Sequence, residues 1–162
     1  MKESFELKDI ESATGISVQR LRYVLDQGIL PGSSGPSWSR GRGSPRSFTP
    51  FEAFGIVCAA LLLGAGLRRR AVRGYIEMLC TPTGDRRDVA STPLYQAFQQ
   101  SSVAALDVGD GDYIRLIGSE DYQRSAHIGG WVDIRTGLGA GMCEPLVTVR
   151  VDVAKLRRHL RG

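Results

Sequence analysis

Gly15 sits between two short apolar-periodic segments, and this placement limits the start of the chain more than any other feature. Before it, Phe5, Leu7, Ile10 and Ala13 recur at roughly helical spacing across Phe5 to Ala13. After it, Ser17 is a good N-cap, because its hydroxyl can accept from free backbone donors of the next turn. Leu21 and Leu25 stand one turn apart and are expected to face a core, leaving Gln19, Arg20, Arg22, Tyr23 and Asp26 on the other faces. Gly28 suits a left-handed helix stop, and Pro31 prevents resumption. A helix, a sharp glycine-permitted turn, a second short helix and a stop form a helix-turn-helix pattern.

Residues 32–45 are of a different material, rich in Gly, Ser and Pro, without periodicity and unable to fold alone. Trp38, Arg40, Arg42 and the following Arg46 decorate this stretch, which reads as a long wing. Thr49-Pro50-Phe51-Glu52 is a strong helix start, with Thr49 capping, Pro50 at the first helical position and Glu52 closing a capping box. The helix that follows runs through Leu63, is apolar nearly all round, and is expected to be the central core helix. Gly64 and Gly66 break it. Leu67 to Leu79 then forms a further helix, with Leu67, Ala71, Tyr75, Ile76 and Leu79 inward and Arg68, Arg69, Arg70 and Arg73 outward.

Beyond Cys80 the character changes. Residues 81–92 read as a breaker-rich linker. Pro93 to Ala105 is expected to be one helix, with Leu94, Phe98 and Val103 inward. Tyr113–Ile117 and Gly130–Ile134 are β-like, and Leu146–Val151 alternates cleanly as a strand. Asp152 caps a terminal helix from Val153 to Leu160. The expected fold is therefore α+β: a mainly α winged helix-turn-helix of four helices over residues 1–80, followed by a small α+β domain over 93–162.

Size and charge narrow the function classes. At 162 residues the chain suits one domain or two small ones. Its longest apolar stretch, Gly55 to Leu63, is about half of what a bilayer requires, so no membrane partner is expected. The opening residues show no secretory signal, and three scattered cysteines (Cys58, Cys80, Cys143) suit a reduced, cytoplasmic protein. Residues 1–80 hold 11 Lys and Arg against 7 Asp and Glu, whereas residues 81–162 hold 10 of each. All the excess positive charge lies with the helix-turn-helix pattern, as phosphate neutralisation by a DNA reader would require.

Several motifs in order carry a family resemblance. Thr14-Gly15-Ile16-Ser17-Val18-Gln19-Arg20-Leu21-Arg22-Tyr23 resembles the recognition helix of the MerR family of winged helix-turn-helix transcription regulators, and Gly28-Ile29-Leu30 its exit. Arg46-Ser47-Phe48-Thr49 is similar to the strand closing that family's wing, and Leu62-Leu63-Gly64-Ala65-Gly66-Leu67 to the joint between its third and fourth helices. The resemblance covers about half of the chain. It implies that Val18, Gln19 and Arg22 meet bases or flanking backbone, that Tyr23 touches phosphate, and that Arg46 is the wing arginine. Arg20, Gln19 and Val24 depart from the family's usual Thr, Arg and second Tyr, the wing is longer, and the family's long dimerisation helix is not evident after Cys80.

The chemistry of these side chains fits that expectation. Gln19 can meet an adenine edge bidentately and Arg20 or Arg22 a guanine edge, each pair discriminating by roughly 1–3 kcal/mol. Tyr23, Arg40, Arg42 and Arg46 would set register on phosphates, Ser17 belongs to the same DNA-binding set, and Arg68, Arg69, Arg70 and Arg73 would form a phosphate clamp at the start of the fourth helix. The alternative for the arginine run is a solvated surface. No C-x-x-C or Cys/His cluster suggests a metal, and Gly137–Gly141 lacks the Lys-Ser/Thr ending of a nucleotide loop. Asp107, Asp110 and Asp112 lack the closing Glu of a calcium loop, and no catalytic constellation is found. The expected partner is double-stranded DNA, read by a homodimer without cofactor. The second domain would serve dimerisation, a small-molecule effector or a protein partner. Trp131, Tyr113, Tyr122 and His127 would line a pocket in that case, and otherwise a core. An excisionase-like or replication-associated accessory role is the alternative to a promoter regulator.

Overall fold

A computed structural model describes residues 3–30, 47–82, 88–109, 113–118, 130–133, 136, 139 and 145–161. The chain divides into two compact units, Met1–Ile76 with Leu156–Gly162, and Glu77–Lys155. The boundary therefore falls four residues before the expected end of the first domain, and the chain's last residues return to the first unit. Among the described residues the architecture is α+β, with six α-helices and a four-stranded antiparallel sheet. No helix among them is long and apolar enough to cross a membrane.

In the first unit, α1 spans Leu7–Thr14 and α2 spans Val18–Asp26. Gly15 joins them at φ 74°, a left-handed conformation that a side chain would strain. Ser17 caps α2 by accepting from the Arg20 amide at 3.4 Å, and Glu11 of α1 accepts from the Val18 amide at 3.1 Å. Two orphan donors of α2 are thus satisfied, one of them from the preceding helix. Phe5 lies outside α1, contrary to the sequence reading. It exchanges two backbone hydrogen bonds with Phe48 (2.7 and 2.8 Å), and both rings are buried. Backbone pairing wins here because Phe5 gains ladder bonds and burial together, and the first helical turn starts after it at Leu7.

The third helix, α3, spans Pro50–Gly64 and opens with the capping box expected of Thr49 and Glu52: Thr49 Oγ1 accepts from the Glu52 amide at 3.2 Å, and Glu52 Oε2 from the Thr49 amide at 2.7 Å. Nine of its 15 residues are buried, and α1 and α2 both pack on it. Leu21 and Val24 form the inward face of α2, and Leu25 is only half-buried. Helical geometry explains this correction, since Leu21 and Val24 flank one side of the axis while Leu25 turns towards its edge. The fourth helix, α4, spans Arg69–Cys80 and buries Val72, Tyr75, Ile76 and Leu79, with Val72 in the place expected of Ala71.

In the second unit a short 3-10 turn, Val89–Ser91, leads into α5, Pro93–Gln99, whose Thr92 cap accepts from the Tyr95 amide at 3.3 Å. The helix expected to reach Ala105 ends at Gln99. Val103–Gly109 is instead strand β1, an inner strand of the sheet. All seven of its residues are buried. A strand covered on both faces shows no alternation, and Ala104 and Ala105 favour a helix in isolation. The other strands are β2 (Tyr113–Gly118), β3 (Val132–Asp133) and β4 (Thr148–Asp152), in the order β3-β2-β1-β4. The strand expected from Leu146 begins two residues later, and Leu146 and Val147 are exposed. The terminal helix, α6, spans Val153–Arg161, and Asp152 Oδ1 accepts from the Lys155 amide at 2.7 Å as expected of a cap.

Register places Asp107 of β1 opposite Arg115 of β2 and Arg150 of β4. Its fully buried carboxylate accepts from Arg115 Nε and Nη2 (3.2 and 3.1 Å) and from Arg150 Nε and Nη2 (2.6 and 2.8 Å). Arg115 also lies 4.2 Å over the ring of buried Trp131, a cation–π contact that makes the indole part of the packed interior. Two neighbouring strands thus supply the charge and donors that a carboxylate needs in a buried site.

Candidate nucleic-acid interface

The outward face of α2 is set by what its inward face packs on. Leu21 and Val24 are fully buried, so the opposite side carries Gln19, Arg22, Tyr23 and Asp26, all exposed. Their spacing is i, i+3, i+4 and i+7, which aligns them on one stripe along the helix. Tyr23 is among the most exposed large apolar side chains, at 45%. Ser17 is exposed at the helix start, and Val18 is half-buried.

Arg20 falls on the flank between that stripe and α3. Its guanidinium reaches the last turn of α3, so close to Gly64 that a methyl group there would stand 2.7 Å from Arg20 Nη2. Arg20, Tyr23, Ala60, Leu63 and Gly64 together line a shallow notch. A cation near the carboxyl end of a helix lies close to its negative dipole end, a proximity that no local spacing of the sequence discloses.

The same chemistry recurs at the carboxyl end of α2. Arg69 Nη1 donates to Gln27 Oε1, and Arg73 Nη2 donates to the Gln27 backbone carbonyl at 2.7 Å. Gln27 is the C-cap of α2. The arginines at the start of α4 therefore hold the end of α2 in place, and Arg69 makes this contact instead of standing alone as a surface cation. The roles of Gln27 and Glu11 escaped the sequence reading. Each acts across a tertiary contact that no local spacing encodes.

Gln19, Arg22 and Tyr23 are thus brought together on one face, Arg20 is drawn to its flank, and Arg69 is placed at its carboxyl end. Arg40, Arg42 and Arg46, with Trp38 of the expected wing, lie outside the described residues, as do Cys143, Tyr122 and His127. Among the described residues no group of three His, Cys, Asp or Glu side chains is placed to hold a metal ion. Cys58 is buried and Cys80 half-buried. No family model, curated protein or solved structure matches this chain.

Proposed function

We propose that this chain binds double-stranded DNA sequence-specifically, with α2 in the major groove, and acts as a transcription regulator of the winged helix-turn-helix kind. The observation that carries this reading is the exposed stripe of Gln19, Arg22 and Tyr23, on a short helix fixed at its start by the Gly15 turn and Glu11 and at its end by Arg69 and Arg73. A helix of this length, tied at both ends with its polar side outward, suits groove entry. The charge excess confined to residues 1–80 supports the same reading, as does the resemblance of that segment to MerR-type regulators.

In this reading Gln19 and Arg22 contact base edges, Tyr23 contacts a phosphate, and the exposed Arg68 and Arg70 add phosphate attraction beside α2. Arg20, exposed on the flank of the stripe with its guanidinium near Gly64, reaches a guanine edge or the neighbouring backbone. The 32–45 segment would follow the backbone as a wing, and a homodimer would read two half-sites.

Selection of bound sequences from a random duplex pool with the full chain tests the proposal. A defined motif should emerge, and Arg22→Ala should flatten one of its positions. Recovery of the pool without any enriched motif would overturn sequence-specific binding.

A further inference from the structure

Asp26 completes the exposed stripe of α2, seven residues after Gln19 and four after Arg22. Its position at the end of α2 is not one that helix electrostatics favours. A carboxylate in the last turn of a helix faces the negative end of the dipole. Arg22, one turn earlier, is spaced for an ion pair with it, yet the two form none. On a face that approaches DNA, the same carboxylate is repelled by phosphates unless it meets a hydrogen-bond donor.

We infer that Asp26 is a specificity-determining residue that accepts a hydrogen bond from a cytosine N4 amino group in the major groove, an inference that rests on the DNA-binding reading above. An ionised carboxylate only accepts. The major groove offers two donors, the amino groups of adenine and cytosine, and adenine sets its N7 acceptor beside the amino group. That acceptor repels the second carboxylate oxygen, whereas cytosine has no acceptor there. The helix rise places Asp26 about 10 Å from Gln19 along the axis, or about three base-pair steps. The cytosine therefore lies at one end of the bound motif, about three base pairs from the base read by Gln19. The cost of the negative charge on every other sequence adds discrimination against wrong sites.

The test is selection from a random duplex pool with the full chain as wild type, Asp26→Ala and Asp26→Asn, with thermal melts to show that both variants fold. The wild type should enrich a motif with a terminal cytosine. Asp26→Ala should lose that one preference by about tenfold, keep the remaining positions, and bind unselected DNA more tightly. Asp26→Asn should move the preference from cytosine to adenine, because a carboxamide pairs with the adenine N6 and N7 edge. A motif that keeps its terminal cytosine in both variants, or has none in the wild type, overturns the role of Asp26 and leaves DNA binding standing. Absence of any motif from the wild type overturns both.

Discussion

Arg73 Nη2 donates to the backbone carbonyl of Gln27 at 2.7 Å, joining the first turns of α4 to the C-cap of α2. The bond is charged but exposed, so solvent reduces its worth. Arg73→Ala should lower stability by about 0.5–1 kcal/mol, read as a fall in the urea midpoint at unchanged slope. A midpoint equal to that of the wild type would show that the contact does not hold α2.

Gly15 adopts φ 74° with nothing within 4 Å of where a Cβ would stand. Any cost of Gly15→Ala is therefore conformational, and steric crowding plays no part. The substitution should destabilise by about 1–2 kcal/mol, and Gly15→Asn by less, since Asn tolerates the left-handed region. Equal midpoints for the two variants would contradict this account.

Asp107 is fully buried between two guanidiniums, and the Arg115 side chain is only 9% exposed. Asp107→Ala would leave buried Arg115 facing Arg150 with no carboxylate between them, at a cost of about 3–5 kcal/mol. The Arg150 side chain is 43% exposed, so Arg150→Ala should cost far less, about 1 kcal/mol. Thermal melts of both variants check the ranking, and a reversed order would place the burden on Arg150.

Burial pushes the Cys80 thiol from 9.0 up to about 11. The folded state resists forming the thiolate, so the unfolded chain loses its proton first. Stability linked to Cys80 is full below pH 9 and is lost as pH rises from 9 towards about 11. Wild type should therefore lose more stability over that range than Cys80→Ala. At pH 8, iodoacetamide should label Cys80 in urea but hardly in the folded chain.

The early helices were legible because their signals are local. Gly15, Ser17 and the Thr49–Glu52 box act within four residues of themselves, and each does in the fold what its chemistry implies. β1 was not legible. Its order is set by β2 and β4 on either side, and Val103–Ala105 read as helix because burial on both faces removes the period that marks a strand. The polar stripe of α2 could be read from helical spacing. What holds α2 could not, since Arg69 and Arg73 meet Gln27 only after α4 has packed. The sheet triad was hidden for the same reason, as Asp107 and Arg150 become neighbours only through strand pairing.

Both ends of the chain belong to one unit: Met1–Ile76 is completed by Leu156–Gly162, with the sheet-bearing segment inserted between them. Synthesis from the N-terminus therefore delivers the first unit in two instalments. Its early helices emerge first, and the turns of α6 that carry buried Leu156 and Leu160 follow only after the whole sheet-bearing segment has been made. A chain cut short before residue 156 would keep every strand of the sheet and still lack the last piece of its first unit.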